Sequence, residues 1–150
     1  MSSQATKATF TVSRVVFEIE VPRLSGKERA RAKAGGGYYT PRQTRSAEQA
    51  VAEGFLDAVS TLTTDQVPLQ APVALDVAFC RELPKSAPKR RIGEPDISMP
   101  DIDNLLKLVM DALTGLAWED DRYVYSARAV RLPRTTYGSG CQIRVAIQYG

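Results

Sequence analysis

Residues 100–113 read Pro-Asp-Ile-Asp-Asn-Leu-Leu-Lys-Leu-Val-Met-Asp-Ala-Leu, and a short way on comes Trp118-Glu-Asp-Asp121. Pro100 blocks helix before it and Asp103 suits an N-cap, so a helix is predicted from about Asn104 to Thr114. At about 100° per residue, Asp103, Lys107, Asp111 and Thr114 share an arc of about 80°, while Leu105, Leu106, Val109, Ala112, Leu113 and Leu116 lie elsewhere. A mostly buried helix with one polar stripe needs a sheet to bury it, and strands flank it on both sides.

Upstream, Val73, Leu75, Val77 and Phe79 alternate as a strand, and so do Val15, Phe17, Ile19 and Val21 against Glu18 and Glu20. Downstream, a strand is predicted over roughly 122–132, and Cys141, Ile143, Val145 and Ile147 alternate with Gln142, Arg144 and Gln148. Ser46 and Gln49 have capping-box spacing, which predicts a second helix whose buried face holds Ala47, Ala50, Val51, Phe55, Ala58, Val59 and Leu62. The order β-α-β-α-β-β predicts an α+β fold, a mixed β-sheet packed with two helices, in a single domain over residues 1–150. Two loops interrupt the pattern, at about 23–45 and 81–100, and both read as mobile and basic.

The chain has no histidine, which excludes Ser-His-Asp triads, Cys-His pairs, histidine-bearing zinc sites and a histidine base. Chemistry must run on carboxylates, lysine, a metal-activated water or the cysteines. The net charge of +3 is uneven: residues 1–50 hold nine Lys/Arg against four Asp/Glu. Cys80 and Cys141 border apolar strands and read as buried thiols rather than a disulfide, in keeping with a reducing cytoplasm. The opening MSSQATKATF lacks the basic-then-apolar order of a secretory signal, and no apolar run reaches the ~18–20 residues of a membrane helix.

Carboxylates that converge repel one another unless a cation intervenes. Oxygen ligands favour a hard ion, Mg²⁺ or Mn²⁺, held by one or two carboxylates, water and substrate phosphates. With Lys107 beside them, such acids suit phosphodiester hydrolysis, in which metal and ammonium counter the charge of the pentacovalent phosphate. The simpler reading of each residue alone is structural: Asp103 as an N-cap, Lys107 as an i,i+4 partner of Asp103 and Asp111, and Glu119-Asp120-Asp121 as a solvated turn. The whole pattern, Asp-x-Asp-Asn-Leu-x-Lys, Asp-Ala-Leu and Trp-x-Asp-Asp, is much less common than its parts.

That pattern, from Pro100 to Asp121, resembles the signature of RusA-type Holliday junction resolvases, small endodeoxyribonucleases common in bacteriophage and prophage genomes. Tyr38-Tyr39-Thr40-Pro41 after a basic stretch is similar to the family's N-terminal segment. The resemblance implies a RusA-like fold and a homodimer that binds four-way or otherwise branched DNA and cuts it symmetrically with Mg²⁺, Mn²⁺ substituting. Carried over by motif position, Asp101, Asp103 and Asp121 are the catalytic, metal-holding acids and Lys107 the essential cation. Asp111 and Asp120 are taken as supporting residues. No small-molecule cofactor or membrane partner is implied, and the location is the cytoplasm of a bacterial cell or phage-infected host. The chain departs from the family at Met99, where many members are basic, at Arg131, where many have lysine, and in residues 27–33, which lack a proline-bearing basic run.

Beside an acidic centre, DNA needs a cationic surround. Lys27, Arg29, Arg31, Lys33, Lys85, Lys89, Arg90 and Arg91 are the candidates for phosphate contacts, with Tyr38 and Tyr39 for stacking on opened bases. The plainer reading is a set of solvated loops with tyrosines packed on the sheet. A rival function is a branched-DNA binder without catalysis, which predicts metal-independent binding and no nicks. A small-molecule phosphatase fits less well, since Asp-x-Asp phosphatases place the motif after a hydrophobic strand and Ile97-Ser-Met-Pro stands here instead.

Overall fold

In a computed structural model the chain forms β1 (Arg14–Val21), β2 (Arg31–Ala32), β3 (Tyr38–Tyr39), α1 (Arg42–Ala58), β4 (Val73–Arg81), α2 (Ile102–Leu113), β5 (Val124–Arg131) and β6 (Cys141–Tyr149). The structure describes residues 11–24, 26, 31–32, 34–36, 38–39, 42–62 and 66–150, with 31–32, 38–39 and 42–43 described through their backbone. The main sheet is four-stranded, in the order β1-β6-β4-β5. β6 pairs antiparallel with β1 and β4, setting Val15 opposite Ile147 and Val77 opposite Val145. β4 and β5 are parallel, because α2 carries the chain back along the sheet between them.

The period-two pattern of each strand sends Val15, Phe17, Val73, Leu75, Val77, Phe79, Ile143, Val145 and Ile147 to one face, where they meet the two helices. From α1 come Ala47, Val51 and Phe55, and from α2 come Leu105, Leu108, Val109 and Leu113. Each buried Leu, Ile or Phe contributes about 1.5–3 kcal/mol, so this face holds the α+β layers together. α1 lies so close to β1 that a Cβ on Gly54 would sit 2.5 Å from Ile19 Cγ2. β1 and β5 are the outer strands, and β5 is exposed along most of its length. Both cysteines are free thiols, Cys141 buried and Cys80 half-buried. Among the described residues no helix is long and apolar enough to cross a membrane.

Several boundaries differ from the sequence reading. α1 begins at Arg42, not at the Ser46–Gln49 box, and Gln49 Nε2 instead donates to Glu53 Oε1 at 2.9 Å. Pro41 directly precedes Arg42 in the sequence, and a proline there suits a helix start. α2 begins at Ile102, so Asp101 holds the N-cap position and Asp103 sits within the first turn. The stretch 23–45, read as a loop, holds the hairpin β2–β3, with Arg31 opposite Tyr39 and Ala32 opposite Tyr38. Lys27, Arg29 and Lys33 lie outside the described residues. The stretch 81–100 is irregular but tied down: Leu83 is fully buried, and Gly93 and Glu94 exchange backbone bonds with Arg134 at 2.7 and 3.1 Å.

Candidate active site

The head of α2 carries Asp101, Asp103 and Lys107. Asp101 is extended, with φ −63° and ψ 152°, and its carboxylate caps no backbone amide. Asp101 and Asp103 are both exposed, next to the unpaired N–H groups and the positive dipole end that any helix presents there. Lys107 follows Asp103 by one turn and lies 4.0 Å from Asp111 Oδ2, with 61% of its side chain in solvent. Asp111 therefore sits in the last turn of α2 as the lysine's partner.

The backbone leading into this head is held from behind. Arg81, the last residue of β4, places Nε 3.3 Å from Asp96 Oδ2 and donates from Nη2 to the Met99 carbonyl at 3.0 Å. Arg131, the last residue of β5, places Nη2 3.0 Å from the same Asp96 oxygen and donates from Nη1 to the Pro100 carbonyl at 2.8 Å. Asp96 is buried, at 6% exposure, and its Oδ1 accepts from the Ser98 hydroxyl at 2.9 Å and the Ser98 amide at 3.2 Å. Burial pushes the Asp96 carboxyl up, but the Ser98 bonds and the two guanidiniums outweigh it and hold the group below its ordinary range. Sequence reading passed over Asp96 and did not connect Arg81 with Arg131. No local spacing joins three residues on separate elements.

Asp121 stands at the other end of the helix. α2 stops at Leu113, and Gly115, at φ +91°, turns the chain back so that Trp118 is buried beneath it. The Trp118 indole Nε1 donates to Thr114 Oγ1 at 3.1 Å and reaches Asp121 Oδ1 at 3.4 Å, while the Thr114 hydroxyl donates to Asp121 Oδ1 at 2.5 Å. Tyr149, its phenol pushed well above the ordinary range by burial, donates to the Ala117 carbonyl at 2.7 Å and pins this turn to β6. Asp120 accepts from the Arg122 amide at 2.9 Å and caps the short turn Asp121–Tyr123, and Glu119 accepts from Gln70 at 3.0 Å. Both acids thus serve the turn.

Asp101 and Asp103 therefore share the head of α2, Lys107 lies one turn on with its ammonium toward Asp111, and Asp121 stands at the foot. The 12-residue helix between them is about 18 Å long. Among the described residues no group of three or more Asp, Glu or Cys is placed to hold a metal. Of the candidate phosphate contacts, Lys85, Lys89 and Arg90 are exposed. Arg91 is engaged with Glu94 at 2.7 Å, a carboxylate that Arg134 also approaches at 3.6 Å. A cleft of about 600 Å³ lined by Arg23, Arg81, Lys85 and Arg134 adds cations next to this segment.

A protein-family model described as endodeoxyribonuclease RusA matches residues 21–148, which take in every element after β1, both helices and the acids at each end of α2 included. No curated protein matches the chain. With most of its length matched, and with Asp-x-Asp at the head of one helix and Trp-x-Asp-Asp at its foot, the chain belongs to the RusA family of endodeoxyribonucleases, which act on Holliday junctions.

Proposed function

We propose that the protein is a divalent-metal-dependent nuclease that resolves four-way DNA junctions as a homodimer, with Asp101, Asp103 and Asp121 as acids and Lys107 as the catalytic cation. The observation that carries the reading is the exposed pair Asp101 and Asp103 at a helix head, one turn from Lys107. Their donor set fits Mg²⁺ or Mn²⁺, which take one or two carboxylates and complete their shell with water and substrate phosphates. Such an ion, when bound, supplies charge neutralisation at the scissile phosphate and a more acidic water for attack. Asp101 and Asp103 would hold it. Lys107 brings a mobile ammonium to the same face, where it stabilises the charge that builds on the phosphate oxygens. Hydrolysis in this mode leaves 5′-phosphate and 3′-hydroxyl ends. Exposed Lys85, Lys89 and Arg90 supply phosphate contacts, and the backbone of Tyr38 and Tyr39 in β3 lies beside that of the basic β2. The reading places the protein with its DNA, in the cytoplasm of a bacterial cell or phage-infected host.

A second copy of the chain accounts for Asp121. β5 is an edge strand of 8 residues, about 25 Å long, with mostly exposed side chains. The turn bearing Asp121 leads into its start, and Arg131 at its end touches Pro100, the residue before Asp101. Two β5 edges paired antiparallel would set the Asp121 turn of one chain against the Asp101–Asp103 head of the other. Edge strands left open in this way favour association.

The experiment is cleavage of a synthetic four-way junction with Mg²⁺ by the wild-type chain and by Asp103→Asn. The expected result is symmetric nicks by the wild type, and binding without cutting by the variant. Equal cutting by both overturns the assignment of Asp103. Binding by both, with no nick from either, overturns the nuclease reading in favour of a non-catalytic junction binder.

A further inference from the structure

We propose that Asp96, Arg81 and Arg131 are positioning residues that fix the backbone ahead of α2 and thereby aim the Asp101 and Asp103 carboxylates; the proposal rests on the reading of those two acids as the cleavage site. Each guanidinium makes the same pair of contacts, one to Asp96 Oδ2 and one to a carbonyl in the lead-in to α2. Arg81 takes the Met99 carbonyl and Arg131 the Pro100 carbonyl, so the two peptide oxygens directly before Asp101 are both held. The two arginines end adjacent parallel strands, which makes the frame as rigid as the sheet.

Apolar packing does not explain the order of this segment. Ile97 is 91% exposed and Met99 73% exposed, so neither anchors it. Nor is stability a sufficient reason for the network. Burying a carboxylate between guanidiniums costs desolvation that Coulomb attraction only about repays, and well-packed apolar residues would serve as well. What the charges provide is a fixed place for the two guanidiniums. Asp96 Oδ2 lies between them at ion-pair distance, with Arg81 Nε and Arg131 Nη2 making no aligned hydrogen bond to it, and the direction comes from the other N–H of each guanidinium, which donates to a carbonyl. The last extended residue, Asp101, is thereby delivered to the N-cap position, where its carbonyl accepts the first helical bond from Leu105 at 3.1 Å. Catalytic geometry is sensitive at this level, since a displacement of about 1 Å can cost on the order of 100-fold in rate.

The test is Asp96→Asn, which keeps the shape and the Ser98 contacts but removes the charge. Single-turnover cleavage is expected to fall by about 10- to 100-fold, the usual effect of removing a residue that orients metal-holding groups. Junction affinity measured in EDTA stays at the wild-type value, and amide exchange at Leu105 and Leu106 quickens relative to the rest of α2. Phe55→Leu, a core change in α1, gives a reference in which melting temperature falls without that local exchange or rate effect. Arg131→Lys keeps the charge but offers one ammonium for two acceptors, so its rate falls between wild type and Asp96→Asn, and it replaces that variant if Asp96→Asn fails to fold.

A folded Asp96→Asn that cuts at the wild-type rate overturns the proposal. A rate loss matched by Phe55→Leu at equal stability loss overturns it too, as does weakened junction binding with unchanged turnover. If the wild-type chain cuts no junction, the cleavage reading fails by itself and hydrogen exchange alone decides the positioning role, unchanged exchange in both variants overturning it.

Discussion

At the head of α2, Asp101 and Asp103 are exposed and their carboxylates are held by no side chain among the described residues, whereas at the foot Asp121 accepts from Thr114 at 2.5 Å and lies 3.4 Å from the Trp118 indole nitrogen. The head is organised through its backbone, by guanidiniums that grip the carbonyls of Met99 and Pro100. The foot is organised through the acid itself. A carboxylate kept open to solvent can exchange ligands, while one already holding two donors is pre-aimed and offers its remaining lone pairs in a fixed direction. The 12-residue helix between the two ends is about 18 Å long.

The sharpest way to break this comparison is to mix two inactive chains. Asp103→Asn damages the head only and Asp121→Asn the foot only, and each alone is expected to lose cutting by at least about 100- to 1,000-fold, in line with removal of one electrostatic group. If a site combines one chain's head with another's foot, a mixed dimer carries one undamaged site. Mixing then restores nicking of one strand, though not paired cuts. If head and foot serve a site within one chain, every site in the mixture carries a lesion and no activity returns. Gel analysis of nicked against resolved junctions separates the two outcomes.

Lys107→Met tests the head next. The ammonium lies 4.0 Å from Asp111 and is largely exposed, so its loss leaves the core untouched. Turnover is expected to drop about 100-fold with junction affinity and melting temperature unchanged. An equal drop in affinity would recast Lys107 as a phosphate contact.

The acids at both ends of α2 were legible in the sequence, but their separation was not. Asp-x-Asp followed by an amphipathic run marks a helix head, and Trp-x-Asp-Asp follows its end, so the order of parts was plain. The helical stripe placed Asp103, Lys107, Asp111 and Thr114 on one side of the helix, as periodicity can, but periodicity gives rotation and says nothing about which ends of two elements meet. The family resemblance implied Asp121 as a metal-holding acid together with Asp101 and Asp103, and within one chain the structure sets it beside Thr114. The strand alternations gave β1, β4 and β6 correctly because one face of each is buried. Helix starts were missed by a few residues at both α1 and α2, since more than one polar residue could cap each. Asp96, Arg81 and Arg131 were unreadable as a group, being joined only by the closing of the sheet.

At the foot, Thr114→Val removes the hydroxyl that donates to Asp121 and accepts from Trp118. The expected loss in cleavage is about 10-fold, with a stability cost of about 1 kcal/mol for the lost hydroxyl bonds, the indole N–H keeping only its longer contact to Asp121. Thr114→Ser, which keeps the hydroxyl, should recover most of the rate. Failure of serine to rescue would mean that Thr114 acts through packing.

The smallest effect separates the two ends by pH. Asp96 serves only the head, and its carboxyl lies below the ordinary value of 3.8 in the folded protein. A depressed carboxyl contributes stability that is complete above its unfolded pKa and is lost as pH falls through the folded one. The stability advantage of the wild type over Asp96→Asn should therefore be constant at neutral pH and shrink below about pH 4, as the native Asp96 takes up its proton. The advantage of the wild type over Thr114→Val has no such limb from Asp96, because both proteins keep that carboxyl. Denaturant titrations of the three proteins between neutrality and pH 3 read the difference directly, and a gap that widened on acidification would mean that Asp96 is buried as the neutral acid and that the arginines are held by the carbonyls alone.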